Sequence, residues 1–129
     1  MLSKQNILLI AITYTIFVYV ICLIPIETSI ELPISYMDKL VHIVIYFIFT
    51  LVWFAYFQGL SISSSILSSL IKSSFVGFFT GVTIEVLQET VSKGRFADVY
   101  DVLANSLGII IAIVFLSQLK KYNNLKSLK

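Results

Sequence analysis

Four long stretches of apolar residues fill most of the 129-residue chain. They run over about 7–26, 40–57, 73–91 and 98–119. A helix needs about 20 apolar residues to cross the hydrocarbon core of a bilayer, so each stretch is long enough for one crossing. Four crossings leave only short connections and no room for a separate soluble domain. The sequence therefore predicts an all-α fold, a bundle of four transmembrane helices that forms a single domain over 1–129.

The composition excludes several other classes of protein. Hydrophobic residues make up 58% of the chain and charged residues 12%, whereas about a quarter of the residues of a soluble domain are charged. One cysteine excludes a domain held together by disulfides, and a net charge of +2 provides no basic surface for nucleic acid. The first stretch is also longer than the roughly 7–15 apolar residues of a cleaved signal peptide. We therefore expect an integral membrane protein in contact with lipid.

Two of the connections have a distinctive composition. The connection before the second stretch contains Asp38 and Lys39, and a serine-rich segment follows the second stretch at about 61–72. The serines suit a flexible linker, but the apolar residues between them cover one side of a helical wheel. An interfacial helix, an extension of the third stretch and a loose loop all remain open for this segment.

Lysine and arginine residues near the ends of the stretches predict the orientation, because cytoplasmic connections are enriched in them. With the N-terminus in the cytoplasm, the inner side holds six basic residues and no acid: Lys4, Lys72, Lys120, Lys121, Lys126 and Lys129. The outer side holds nearly all the acids and three basic residues: Lys39, Lys93 and Arg95. Both termini are therefore predicted to be cytoplasmic.

Polar residues of three segments converge on the predicted outer face. The start of the second stretch supplies Asp38 and His42, which share a helix face because they are four residues apart. The other polar residues come from three places: the end of the third stretch, the turn after it and the start of the fourth stretch. They are Glu85, Gln88, Glu89, Arg95, Asp98, Asp101 and Asn105. A chain this poor in charge has most of its ionisable groups in one layer, which indicates a site.

Glu85 lies roughly 9 Å inside the outer end of the third stretch. A carboxylate at such a depth costs about 2.5–3.5 kcal/mol to insert, so it needs a partner inside the bundle. Arg95 and protonated His42 are the two candidates, and the pair could serve a function or simply lock the helices together. Asp98 and Asp101 also have a structural interpretation, because acids in the first turn of a helix cap its free N–H groups.

The convergent residues differ in the chemistry that their side chains can perform. His42, Glu85 and Asp101 are candidate catalytic residues, since imidazole and carboxyl groups act as general acids and bases. The candidate binding residues are Asp38, Gln88, Arg95, Asp98 and Asn105. One histidine with several carboxylates also suits a divalent metal ion, although no HExxH pattern occurs. The predicted outer layer carries five acids and three bases, and this acidic balance favours a cationic ligand, an amine or a metal, over free phosphate.

Small residues recur at four-residue steps in the third and fourth stretches. They are Gly77 and Gly81, followed by Ala104, Gly108 and Ala112. Such steps allow the backbones of neighbouring membrane helices to approach closely. We therefore expect tight helix packing near Glu85, which lies one turn after Gly81.

Three motifs follow one another along the chain: Asp38-Lys39-x-x-His42, Gly81-x-x-x-Glu85-x-x-Gln88 and Arg95-x-x-Asp98-x-x-Asp101-x-x-x-Asn105-x-x-Gly108. This order resembles the signature of the VanZ-like family, and the match covers about 38–108 without the first stretch. The resemblance implies a small multi-pass protein of the bacterial cytoplasmic membrane with a cell-envelope role. The family is named for an accessory protein of teicoplanin resistance.

Three roles remain open from the sequence. The leading one is an envelope protein whose outward-facing polar site binds a cell-surface molecule, such as a cell-wall precursor or a glycopeptide, and influences glycopeptide susceptibility. The second is a membrane-embedded enzyme that acts on a lipid or a lipid-linked envelope precursor. The third is a structural membrane subunit without catalysis, whose charges hold the helices together. The sequence names neither the ligand nor the oligomeric state.

Overall fold

A computed structural model describes residues 3–24, 35–60, 65–91 and 98–127 of the chain. These residues form four helices, α1 (Lys4–Leu23), α2 (Ser35–Gly59), α3 (Ile66–Val91) and α4 (Val99–Ser127), and no strand occurs among them. Each helix is long and apolar enough to cross a membrane. The expected all-α bundle with four membrane-spanning helices is confirmed. The cytoplasmic location of both termini and the single domain over 1–129 stay predictions.

The second helix begins earlier than the apolar pattern indicates. It starts at Ser35 and therefore includes Asp38 and Lys39, which the sequence places in a connection. Asp38 lies in the first turn, where a negative charge is favourable beside the positive end of the helix dipole. A helix can thus begin before its apolar stretch, because its first turn tolerates charged residues that the membrane core excludes.

The serine-rich segment extends the third helix. From Ile66 onward it is helical, and Ser69 and Ser73 are buried between helices. The Ser73 hydroxyl donates to the Leu70 carbonyl oxygen at 3.0 Å, so burial leaves it satisfied. From residue 66 onward, the serine-rich segment is therefore an extension of the third helix, which confirms that interpretation. Residues 61–64 lie outside the described residues. The fourth helix likewise continues past its apolar stretch, to Ser127.

The α2 helix lies at the centre of the bundle and contacts each of the other three helices. Within the described ranges α1 and α4 make no contact with each other. The Lys4 ammonium donates to the Leu60 carbonyl oxygen at 2.8 Å, and the Gln88 amide donates to the Cys22 carbonyl oxygen at 2.8 Å. One end of the bundle therefore contains the end of α1, the start of α2, the end of α3 and the start of α4.

The bundle core is apolar and aromatic, and its outer surface is apolar as well. Tyr46, Phe49 and Ile84 are fully buried at the centre. Large apolar side chains on every helix are exposed, including Phe75 and Leu9, each by more than half of its area. Such a surface needs an apolar solvent, which agrees with contact between these helices and membrane lipids.

The expected close approach of helix backbones occurs where α2 meets α4. A Cβ atom on Gly108 would lie 2.3 Å from the Ile43 carbonyl oxygen, a distance that no side chain tolerates. On α3, a Cβ atom on Gly81 would lie 3.0 Å from Asn105 Nδ2. The two glycines thus allow α2, α3 and α4 to pack tightly just below the polar end of the bundle.

Candidate functional site

Polar side chains from α2, α3 and α4 meet at one end of the bundle. We call this set the polar cluster: Asp38, Lys39, His42, Glu85, Asp98, Asp101 and Asn105. Four of its side chains are buried, each with less than 9% of its residue surface exposed: His42, Glu85, Asp101 and Asn105. The predicted convergence of three segments is therefore present, because the starts of α2 and α4 lie side by side and the end of α3 adjoins them.

Lys39 is the central cation of the polar cluster. Its Nζ donates to Asp98 Oδ2 at 2.5 Å and to Asp101 Oδ1, and it lies 3.9 Å from Asp38 Oδ2. The sequence reasoning missed this role and treated Lys39 as a basic residue of a connection. The available signal was its spacing, because Lys39 and His42 are three residues apart and so share a helix face.

Asp98 connects three elements of the bundle. Its carboxylate Oδ1 accepts from the Tyr100 N–H at 2.8 Å, which is the N-cap hydrogen bond of α4, and this confirms its predicted capping role. Its own N–H donates to Glu85 Oε2 on α3 at 3.1 Å. Hydrogen bonds from the Lys39 ammonium and then from the Tyr100 N–H lower the pKa of the Asp98 carboxyl below its ordinary value. Asp98 is therefore held as a carboxylate.

Asn105 orients the His42 ring. His42 Nδ1 lies 2.9 Å from Asn105 Oδ1, and because an amide oxygen can only accept, Nδ1–H is the donor. In the neutral ring the lone pair is then on Nε2, which lies 3.9 Å from Asp101 Oδ2. That distance is too long for a hydrogen bond. Nε2 has no hydrogen-bond partner among the residues that the structure describes.

Glu85 has a different partner from the ones expected. The expected partner Arg95 lies outside the described residues, so that pairing stays a prediction. Glu85 Oε2 accepts from the Asp98 N–H at 3.1 Å. The other oxygen, Oε1, is buried and has no hydrogen-bond partner within the described ranges. Gln88 does not join the polar cluster, because its amide donates to the Cys22 carbonyl on α1.

Two more polar atoms lie unpartnered around Gly81. Asn105 Nδ2 and the Tyr46 hydroxyl are buried without hydrogen-bond partners among the described residues, and both lie within 3.4 Å of where a Gly81 Cβ would be. The sequence reasoning did not identify Tyr46, since tyrosines are common in membrane helices. Buried polar groups without partners are rare in folded proteins and call for an explanation, such as a bound ligand or water.

Comparison with known proteins identifies the family. The model of the VanZ/LLP1 family matches residues 8–120, most of the chain. The chain belongs to this family. No curated protein and no solved structure matches it. The resemblance stated from the three motifs is thereby confirmed, and the match extends to the first helix, which carries none of those motifs.

The family and the helices together establish the location of this VanZ/LLP1 member. Its relatives are membrane proteins, and its four helices are each able to cross a bilayer. It is therefore a multi-pass protein of the cell membrane.

One group of side chains in this VanZ/LLP1 member could hold a metal ion. Asp38, His42 and Asp101 each offer one ligand atom, and these three atoms lie within 4.8 Å of one another. The set combines an imidazole nitrogen with carboxylate oxygens, which is a donor set for a borderline divalent ion.

Proposed function

We propose that this VanZ/LLP1 member is a cell-envelope protein whose polar cluster faces outward and binds a cell-surface molecule, thereby influencing susceptibility to glycopeptides such as teicoplanin. One observation carries the proposal. Glu85 Oε1 and Asn105 Nδ2 are buried and unpartnered among the described residues, and His42 Nε2 has no hydrogen-bond partner there either. A cluster that served only to hold helices together would satisfy its buried groups, because each unsatisfied one costs about 1–3 kcal/mol.

The charge of the polar cluster supports a cationic ligand. Three carboxylates, on Asp38, Asp98 and Asp101, lie around one ammonium group, that of Lys39, and the Glu85 carboxyl group adjoins them through the Asp98 N–H. Negative charge therefore predominates among the described residues of the cluster. A cationic group, an amine or a metal ion, matches this balance better than a free phosphate.

The outward orientation of the site is supported by the distribution of lysine and arginine. A topology reporter tests it directly. A reporter fused after Lys129 is expected to be active only in its cytoplasmic form, and one inserted near Gly94 only in its external form. The reverse pattern would place the polar cluster in the cytoplasm and contradict the envelope role.

Catalysis on a lipid or a lipid-linked precursor is the second candidate function. The observation that favours it is the orientation of His42: Asn105 accepts from Nδ1–H, which leaves the Nε2 lone pair without a hydrogen-bond partner among the described residues, as a general base requires. Glu85 would act as a second acid–base group, and Asp98 with Asp101 would hold the substrate. A substrate would reach the cluster from the outer leaflet.

The experiment compares function with folding in the same variants. His42→Ala and Asp101→Asn are expected to abolish any teicoplanin or lipid-profile phenotype while membrane abundance remains. Asp98→Asn should have a smaller effect, because asparagine is also a good N-cap residue. Glu89→Gln is the matched control, because Glu89 is exposed on α3 and takes part in none of the hydrogen bonds that join the polar cluster. The measurements are teicoplanin susceptibility, lipid and cell-wall precursor profiles, and thermal stability in detergent.

The outcome separates the three roles. Loss of a lipid or precursor conversion in folded His42→Ala protein supports catalysis, whereas loss of the teicoplanin phenotype with unchanged lipid and precursor profiles supports binding. If the phenotype falls only in step with the amount of folded protein, the structural role is correct and the proposal is wrong.

A further inference from the structure

We infer that Asp38, His42 and Asp101, three residues of the polar cluster, together bind one divalent transition-metal ion, Zn²⁺ or Mn²⁺. The inference rests on the proposed function, because the ion is the part of the site that contacts the cell-surface ligand. These three side chains coordinate the ion, and Asn105 orients the His42 ring among them.

The distances fit a shared ion. Ligand atoms lie about 2.0–2.2 Å from Zn²⁺, so two ligands of one ion are roughly 3–4.3 Å apart. His42 Nε2 and Asp101 Oδ2 are 3.9 Å apart, too far to hydrogen bond and within this range. All three ligand atoms lie within 4.8 Å of one another. A small rotation of the partly exposed Asp38 side chain would bring its oxygen within the same range.

The orientation of His42 is independent evidence for a ligand. His42 is 5% exposed, and Asn105 Oδ1 accepts from Nδ1–H, which directs the Nε2 lone pair toward Asp101. Histidines that bind metals usually donate their other ring N–H to an oxygen in this way. In the neutral ring, this nitrogen lone pair faces a carboxylate oxygen with no hydrogen atom between them, which is unfavourable. A cation between the two atoms makes the arrangement favourable.

The donor set determines the class of ion. Imidazole favours Zn²⁺ and other transition metals, and carboxylates also accept Mn²⁺, whereas Ca²⁺ and Mg²⁺ prefer oxygen donors alone. Three protein ligands leave at least one coordination position open, as in catalytic zinc sites. A water molecule or an oxygen atom of the ligand would take that position.

Lys39 and the ion share Asp101. The Lys39 ammonium binds Oδ1, which leaves Oδ2 on the side of His42. The two cations therefore occupy different oxygens of the same carboxylate and repel each other. Lys39→Met is expected to increase metal affinity, because it removes the repulsion and leaves the three ligands in place.

The test is metal binding by the full-length protein in detergent. The protein is stripped with a chelator and dialysed separately against Zn²⁺, Mn²⁺ and Mg²⁺, and bound metal is measured per chain. We expect one Zn²⁺ or Mn²⁺ per chain and at least about tenfold weaker binding of Mg²⁺. Asp38→Asn, His42→Ala and Asp101→Asn should each weaken binding at least about tenfold. Glu89→Gln should bind as the parent does.

Asn105 provides a further pair of variants. Asn105→Leu should weaken binding by about 10–100-fold, because the His42 ring loses the acceptor that orients it. Asn105→Asp keeps an acceptor oxygen and should retain the affinity of the parent. Equal affinities for the two variants would contradict the role of Asn105.

If the variants of the metal ligands fail to fold, a measurement on the parent protein alone still tests the inference. The X-ray absorption spectrum of the metal-loaded parent should show only nitrogen and oxygen ligands. A sulfur ligand at about 2.3 Å would place the ion elsewhere and overturn the inference. Absence of bound Zn²⁺ and Mn²⁺ from monodisperse parent protein would overturn it too.

Failure of the inference can be distinguished from failure of the proposed function. If the parent binds no metal but folded His42→Ala still loses the phenotype, the proposed function stands without an ion. If the ion binds as described but the ligand variants keep the phenotype, the metal site is correct and the proposed function is wrong.

Discussion

The α2 helix contacts α1 on one side and α4 on the other, and the two contacts are made by different chemistry. Toward α1 it uses aromatic packing and neutral hydrogen bonds. Tyr14 Oη donates to the Ile45 carbonyl oxygen at 3.1 Å, and Trp53 Nε1 donates to Thr15 Oγ1 at 3.1 Å. Toward α4 it uses the ion pairs of Lys39 and a backbone contact at Gly108.

This difference indicates that the α2–α1 contact holds the helices together, whereas the α2–α4 contact contains residues of the candidate site. The polar groups named on the α1 side each have a partner, as structural groups in a membrane should. On the α4 side, Asn105 Nδ2 remains unpartnered among the described residues, and so does Glu85 Oε1 on the adjoining α3. The three sequence motifs also fall on α2, α3 and α4. We conclude that α1 mainly stabilises the bundle and that the other three helices form the candidate site.

The largest expected effect comes from Gly108→Ala. The new Cβ atom would lie 2.3 Å from the Ile43 carbonyl oxygen, so the α2 and α4 backbones must separate. We expect a loss of about 3 kcal/mol in the free energy of unfolding in detergent. Gly59→Ala is the matched control on the α1 side, since its nearest neighbour, Ile7 Cδ1, is 3.9 Å away. Similar stabilities for the two variants would contradict the contrast between the two sides of α2.

The next largest effect is expected from Lys39→Met. It leaves the carboxylates of Asp98 and Asp101 facing each other without the ammonium group. We expect a loss of about 2 kcal/mol in unfolding free energy, measured in detergent with a chelator present. Lys72→Met, at an exposed position of α3, should leave stability unchanged. A stable Lys39→Met protein would mean that the carboxylates do not depend on this cation.

A smaller effect is expected on the α1 side from Tyr14→Phe. The change removes one neutral hydrogen bond to the Ile45 carbonyl and keeps the aromatic ring. The expected loss in unfolding free energy is about 1 kcal/mol, with no change in any phenotype of the polar cluster. Tyr122→Phe on the exposed end of α4 is the control. A phenotype for folded Tyr14→Phe protein would show that α1 takes part in the site.

The smallest effect is the acid dependence of stability that Asp98 contributes. Because its pKa is lowered in the folded protein, its stabilisation is fully present above its ordinary pKa of about 4 and is lost as the pH falls through the lowered value. The effect is small, since 39% of the Asp98 side chain is exposed to solvent that screens it. Melting temperatures of the parent and Asp98→Asn should converge as the pH falls from about 5 to about 3. A constant difference would mean that Asp98 does not titrate in this range.

The fold was largely predictable from the sequence because the bilayer restricts the options. Four apolar stretches of sufficient length allow one architecture, and helical spacing places Asp98, Asp101 and Asn105 on one face of α4. Short connections then bring the start of α2, the end of α3 and the start of α4 to the same membrane face. Convergence of the site therefore follows from topology alone.

The pairing inside the site could not be predicted in the same way. Which carboxylate meets Lys39 depends on the rotation of α2 against α4, and that rotation is set by the contact of Gly108 with Ile43. The small-residue pattern marks Gly108 as a contact but does not name its partner. Likewise, the partner of Glu85 is a backbone N–H, and a sequence pattern does not indicate which backbone group a side chain will bind.

The ion pairs of Lys39 have a consequence for biosynthesis. Its two principal partners lie 59 and 62 residues further along the chain. At about 5–20 residues per second, the ribosome needs about 3–12 seconds to make that interval. During this delay α2 has to reach the membrane before either partner has been made, and Asp38, 3.9 Å from the Lys39 ammonium, is the carboxylate already beside it. The second helix is therefore expected to wait at the membrane surface or beside the insertion machinery, and to take its final depth only when α4 arrives.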